Sequence, residues 1–188
     1  MVGGIDEAGR GSLVGPLVIA VVVGDGEQLG RLGVRDSKLL TPRARELLFY
    51  KIVNMAECIN YVVIEPHIID SYKSLNLLEL VFSVELIRKC VADIYYVDSP
   101  DVNPARYGEL LSAMSGVRVV ALNRGERIPQ VAAASIVAKV IRDKTIEFLK
   151  REVGDFGSGY PSDRRTKEKV LRGLLPPECV RQSWKISR

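Results

Sequence analysis

An α/β fold on five strands is predicted for this 188-residue chain by three features of its pattern. Short apolar, β-branched runs recur along the chain: an opening strand, Leu17 to Val23, Ile59 to Ile64, Ile94 to Val97 and Val117 to Leu122. Between most of them lie segments with helical spacing and recognisable caps. One run, Ile94-Tyr95-Tyr96-Val97, ends in a carboxylate, Asp98, and the ends of buried strands are where open α/β sheets place their ligand chemistry.

Each element has a local reason. Leu17 to Val23 is uniformly apolar and closes at Gly24-Asp25-Gly26, which reads as a buried strand forming a hairpin with the opening strand across residues 9–16. Val34 to Leu40 has no period and reads as a loop. Thr41 then caps a helix with Pro42 at its first position, running to about Met55. Pro66 opens a brief helix that carries the single histidine, His67, to which no catalytic role is assigned. Asn76 reads as a cap, and Leu77, Leu80, Val84, Ile87 and Val91 form the core stripe of the helix after it. Asn103 or Pro104 starts a further helix to about Met114, and residues 123–129 read as a charged loop. A long helix follows from about Val131 to Arg151, with Ala134, Val137, Ala138, Ile141, Phe148 and Leu149 as its apolar stripe. On another face Ser135, Lys139 and Arg142 fall at i, i+4 and i+7, a set that suits a run of phosphates or a solvated basic face. Residues 154–163 form a glycine-rich loop around Tyr160, either an anchor to the core or a platform for a sugar or base. Thr166 to Leu174 reads as a last helix.

With 47% hydrophobic and 27% charged residues the chain has ordinary globular composition, and its length suits one domain with a real core. A net charge of +4 is compatible with a polyanionic partner. Cys58, Cys90 and Cys179 are odd in number and lack C-x-x-C spacing. Reduced core cysteines are expected, rather than a zinc site or disulfides, and with them a cytoplasmic location. No basic region followed by an apolar run opens the chain, so no signal peptide is expected, and the longest apolar run is too short to span a bilayer. Few amides beside many charges point to a thermophilic source.

The chemistry concentrates at the start, MVGGIDEAGRGSLVGP. Asp6 and Glu7 lie between Gly4 and Gly9, and Gly9-Arg10-Gly11 follows. Adjacent strand residues point to opposite faces, so the two acids share a metal only if the strand ends or bends between them, which nearby glycines would make easy. Carboxylates that collect divalent metal, beside an Arg and bare backbone donors, suit a substrate with phosphates. Read singly, an Asp-Glu pair is surface charge, and the G-x-G-x-x-x-G spacing does not fit a dinucleotide loop.

Read whole, G-I-D-E-A-G-R-G-x-x-x-G-P resembles the opening motif of ribonuclease HII, with an archaeal cast. D-S-K-x-L at Asp36 to Leu40, Y-V-D-S-P-D at Tyr96 to Asp101, A-A-A-S-I-V-A-K-V-x-R-D from Ala132 to Asp143 and F-G-S-G-Y-P-S-D from Phe156 to Asp163 extend the resemblance over nearly the whole length. It implies a ribonuclease H-like fold, a mixed five-stranded sheet flanked by helices with a helical C-terminal part. Residues 1–188 would form one domain, about 1–152 being the catalytic core and about 153–188 the helical part. The implied activity is endonucleolytic hydrolysis of RNA in RNA-DNA hybrids and 5′ of single ribonucleotides in duplex DNA, leaving a 3′-hydroxyl and a 5′-phosphate. Two Mg²⁺ or Mn²⁺ ions would be the cofactors.

Asp6, Glu7 and Asp98 match three of the family's four carboxylates. The fourth departs, because no Asp lies between Asp101 and Asp143. Glu126 fills the position if one loop residue is missing, a gapless register puts Gly125 there, and Asp143 is a further substitute. Glu126 is the choice, its extra methylene offsetting the shorter loop. The resemblance assigns Gly9, Arg10 and Gly11 to the ribonucleotide 2′-hydroxyl and adjoining phosphate, and Tyr160 to the next nucleotide. Lys38, Ser135, Lys139 and Arg142 are expected at phosphates. The sequence has no Q-x-x-L-x-x-F-F tail of the kind some relatives use to bind a sliding clamp, so clamp binding is not expected, and a monomer is. Two other classes remain: a nucleic-acid-binding module that has lost catalysis, and a phosphotransferase or ATPase. The latter has no G-x-x-x-x-G-K-[ST] loop to support it.

Overall fold

The computed structural model describes residues 1–34 and 40–184. Strands β1 (Val2–Ala8), β2 (Leu17–Gly24), β3 (Cys58–Ile64), β4 (Ile94–Asp98) and β5 (Arg118–Leu122) form one mixed sheet in the order β3-β2-β1-β4-β5. The first three strands pair antiparallel, whereas β1, β4 and β5 run parallel. Every residue of β2 is buried, as its unbroken apolar run requires of a strand covered on both faces.

Helices α1 (Gly26–Arg31) and α2 (Pro42–Met55) follow β2, α3 (Pro66–Ser71) and α4 (Leu75–Lys89) follow β3, and α5 (Pro104–Ser115) joins β4 to β5. The long α6 (Pro129–Val153) comes next, then α7 (Arg164–Leu171). One core joins α4 and α5 to a face of the sheet through Ile5, Leu17, Ile19, Tyr95 and Val97. A second joins α1, α2 and α6 to the other face through Ala8, Val18, Ala20 and Val22. A third cluster, Leu13, Val14, Ile146, Phe156, Leu175, Cys179 and Val180, fastens the C-terminal part to the loop between β1 and β2.

Several expectations hold in detail. Thr41 Oγ1 accepts from the Ala44 N–H at 3.2 Å and Pro42 is the first residue of α2; Asn103 caps α5 through the Arg106 N–H, also at 3.2 Å. His67 is exposed.

Others need correction. Ser74, not Asn76, caps α4, and the buried residues of that helix include Leu78, Leu80, Val84, Leu86 and Ile87. Leu77 is 45% exposed, and Val91, beyond the helix end, is 89% exposed. Leu80, Val84 and Ile87 of the expected stripe are buried, and only its two outermost residues fail. In α6 Phe148 is 64% exposed, while residues 130–138 are all buried, because the first half of the helix is enclosed on every side and needs small residues rather than a stripe. The charged loop contains a 3₁₀ turn at Gly125–Arg127, and the last helix is the shorter α7. Cys58 and Cys90 form a disulfide, and only Cys179 is free. An odd count forbids pairing all three cysteines but not two of them, which is where the expectation of reduced thiols failed.

Candidate active site

The site forms where β1 and β4 part company. Their parallel pairing runs from Val2↔Ile94 to Ile5↔Val97 and stops, while β2 holds β1 as far as Ala8. Asp6 and Asp98, the next residue on each strand, therefore stand side by side at the carboxyl end, where diverging parallel strands open a cleft. Ala8 belongs to the core under α6, so by strand alternation Asp6 faces α6 as well.

Asp6 is 7% exposed and hydrogen-bonds with the Ser135 side chain of α6. Its Oδ1 accepts from the Glu7 N–H at 2.8 Å, and Lys139 Nζ, one turn beyond Ser135, donates to Ser135 Oγ at 2.7 Å. Burial is the main reason its pKa rises to about 6; the Asp98 charge pushes the same way, and Ser135, the Glu7 N–H and Lys139 only partly offset them. Lys139 does not fully compensate a carboxylate so placed, and an oxygen-seeking divalent cation is a partner that its chemistry fits. Among the described residues no three His, Cys, Asp or Glu side chains already stand as a preformed metal cage.

Glu7 does not share that face. The bend anticipated between the acids comes only after Ala8, at Gly9, whose φ of +89° favours glycine, because β2 keeps β1 straight up to that point. Glu7 alternates to the α4 side, and burial together with the charges of Asp6, Glu79 and Asp98 pushes its pKa well up against the pull of Arg10.

Arg10, the cation read beside the carboxylates, is engaged within the chain. Its Nε donates to Glu79 Oε1 at 2.9 Å and its Nη2 to Asn76 Oδ1 at 2.5 Å, while Asn76 Nδ2 reaches Asp101 Oδ2 at 3.2 Å. Glu79 is 2% exposed; burial lifts its pKa to about 7 although Arg10 pulls it down. Sequence reasoning missed Glu79, and the available signal was a single acid in the otherwise apolar start of α4.

The three positions considered for the fourth carboxylate have different surroundings. The Gly125 N–H donates to Asp98 Oδ1 at 2.8 Å. A Cβ on Gly125 would stand 2.9 Å from Asp98 Cα, so the Gly125 backbone packs against the end of β4 with no room for a side chain. Glu126 follows in the turn that this contact holds against the end of β4. Asp143 is about two turns along α6 from Ser135 and accepts from Arg45 Nη1 of α2 at 2.7 Å.

Expected phosphate contacts divide. Ser135 and Lys139 stand beside Asp6. Arg142 is 4% exposed, and its Nε and Nη2 lack hydrogen-bond partners. Its guanidinium lies 4.6 Å from the Tyr160 ring centroid, so Tyr160 is packed by a cation rather than left bare among glycines. The Gly159 carbonyl accepts from the Leu13 and Val14 N–H groups at 2.7 and 3.1 Å, which sets Tyr160 beside the residue 9–16 loop. Gly11 is exposed with open space around it. Lys38, and with it most of the Asp36 to Leu40 motif, lies outside the described residues.

A family model described as Ribonuclease HII matches residues 3–187. The Ribonuclease HII of Pyrobaculum islandicum is 62% identical over 191 residues, covering 100% of this chain and 98% of its own length. That of Archaeoglobus fulgidus is 43% identical, with 98% and 94% covered. Among solved structures, the PCNA:RNase HII complex from Archaeoglobus fulgidus gives a TM-score of 0.93 at 43% identity, over 100% of this chain and 96% of that one. Ribonuclease H2 from Pyrococcus horikoshii OT3 gives 0.91 at 42% identity, over 98% and 94%. Bst-RNase HIII, solved in complex with Mn²⁺, shares the fold alone, with a TM-score of 0.72 at 23% identity over 97% and 66%.

Proposed function

We propose, from the premise that the chain belongs to the ribonuclease HII family and is therefore a ribonuclease H, that it cuts 5′ of ribonucleotides, both in RNA-DNA hybrids and singly embedded in duplex DNA, and leaves a 3′-hydroxyl and a 5′-phosphate. The observation that carries this reading is the pairing of Asp6 with Asp98 at the parting ends of β1 and β4. Asp6, Asp98 and Glu126 would hold two Mg²⁺ or Mn²⁺ ions, with Glu7, which turns to the α4 side but whose charge still acts on Asp6 and Asp98, completing the set around the strand end. Bound there, such ions supply activation of the attacking water and stabilisation of the leaving 3′-oxygen.

The remaining roles fall to the chain's own groups. Asp98 accepts from the Gly125 N–H, which fixes its carboxylate and would let the following Glu126 reach the cleft. Ser135 and Lys139 orient Asp6 and offer positive charge to the phosphate beside the cut. Backbone donors of Gly9, Arg10 and Gly11 read the 2′-hydroxyl, the one feature that marks a ribonucleotide within DNA. Tyr160, stiffened by Arg142, packs on the next nucleotide, and Lys38 and Arg142 add positive charge near the phosphates. The protein works as a monomer in replication and repair, in a cytoplasm of the hyperthermophilic kind in which a disulfide such as Cys58–Cys90 persists. No described helix is long and apolar enough to cross a membrane.

A duplex with one ribonucleotide, incubated with protein and Mg²⁺ or Mn²⁺, tests the reading. Cleavage on the 5′ side with the stated ends is expected. Tight binding without cleavage would favour a module that has lost catalysis, the reading prompted by the missing fourth Asp.

A further inference from the structure

The loop that reads the 2′-hydroxyl has its carbonyls tied down from the far end of the chain. Arg181, 2% exposed, is the largest of the fully buried side chains. Its Nη1 donates to the Arg10 carbonyl at 2.8 Å, and its Nη2 to the Gly9 and Gly15 carbonyls at 2.6 and 3.3 Å. The Gly9 carbonyl also accepts from Ser12 N and Oγ, at 3.2 and 2.9 Å. Among the described ion pairs none includes Arg181.

Burying a guanidinium whose hydrogen bonds go to carbonyls and whose Nε has none is costly, and burial, with Arg142 nearby, lowers its pKa to about 10 against the pull of Tyr160, Asp70 and Glu79. An apolar side chain could fill the same space without that cost, so the charge has a use besides packing. Peptide geometry supplies one. In a trans peptide the C=O and the following N–H point in opposite directions. Holding the Gly9 and Arg10 carbonyls inward therefore turns the N–H groups of Arg10 and Gly11 outward, and Gly11 has open space. A planar fork can hold two adjacent peptide planes at once, which an ammonium cannot do with the same geometry. The loop is held on its other flank through the Arg10 side chain, by Glu79 and Asn76.

The segment carrying Arg181 is itself anchored. The N–H groups of Gln182 and Ser183 donate to the Asp70 carboxylate at 2.8 and 3.1 Å, and Trp184 lies 5.5 Å from the guanidinium.

We propose that Arg181 is a positioning residue for ribonucleotide recognition, setting the Gly9 and Arg10 peptide planes so that the loop's N–H groups face the 2′-hydroxyl. The inference rests on the proposed reading of that loop.

The test measures binding to two duplexes of one sequence, one all DNA and one with a single ribonucleotide, with Ca²⁺ in place of the catalytic ion so that no turnover intervenes. Wild type should prefer the ribonucleotide. Arg181→Lys should reduce that preference about tenfold with all-DNA binding unchanged, as expected for misaligned hydrogen bonds. Equal weakening on both duplexes, or an unchanged preference, would overturn the inference. Asp70→Asn, which loosens the segment from an outer contact, should reduce the preference about threefold. It decides the matter alone if Arg181→Lys does not fold, full preference in that variant counting against the proposal. A wild-type protein indifferent to the ribonucleotide would sink the reading of the loop itself, and the role of Arg181 with it.

Discussion

The two ends of the sheet are built on opposite principles. At one end β2 closes with Gly24, whose carbonyl accepts from Gln130 Nε2 at 2.9 Å, the Cys58–Cys90 disulfide ties β3 to the end of α4, and the N-terminus pairs with Asp93. At the other end Asp6, Glu7 and Glu79 are carboxyls whose pKa burial and like charges raise, with Asp98 beside Asp6 and Glu7, and Arg142 keeps two nitrogens without partners. One end satisfies its polar groups within the chain. The other leaves negative charge for a cation and positive charge for a polyanion, so stability and chemistry are separated along the strands.

Substitutions at the acid end should sharpen that contrast. Asp6→Asn or Asp98→Asn should lower cleavage of a ribonucleotide-containing duplex about a thousandfold or more, with duplex affinity within about twofold of wild type in a binding assay. Glu126→Gln should cost about a hundredfold and Asp143→Asn less than about threefold in the same assay, since Asp143 is engaged by Arg45; the reverse ranking would move the fourth carboxylate to α6. Glu79→Gln, which loosens Arg10 without touching the acids facing α6, should cost about tenfold in cleavage rate.

Stability should respond to pH at the same end. A carboxyl whose pKa is higher folded than unfolded binds more protons when folded, so stability falls as pH rises through that interval. For Asp6, between 3.8 and about 6, the metal-free protein should lose about 3 kcal/mol on this account, and denaturant titrations of Asp6→Asn should lack that part of the slope. Mg²⁺ should accordingly raise the melting temperature more at pH 7.5 than at pH 5. Cys58→Ser at the opposite end should leave cleavage unchanged while lowering stability by about 3.5 kcal/mol in the chain-entropy view of a 32-residue separation.

Much of the first end and part of the second could be read in the sequence. Pattern and caps placed the five strands and the start of α2, because local propensity and tertiary packing agree there. Asp98 was legible as the end of a strand and Asp6 through the opening motif around it. What was not legible depends on contacts distant in sequence. Glu79 and Asn76 meet Arg10 across more than sixty residues, and Arg181 meets the same loop from near the other end of the chain. The start of α4 was misplaced by two residues because Ser74 and Asn76 are both good caps and only packing chooses between them. The opposed faces of Asp6 and Glu7 depend on how far β2 holds β1, which no local signal reveals.

Calorimetric titration of Mn²⁺ into the nucleic-acid-free protein tests the central claim most directly. Wild type should bind the ion, and Asp6→Asn and Asp98→Asn should each abolish that binding while remaining folded. Mn²⁺ binding of wild-type strength in both variants would contradict a metal site at the parting of β1 and β4.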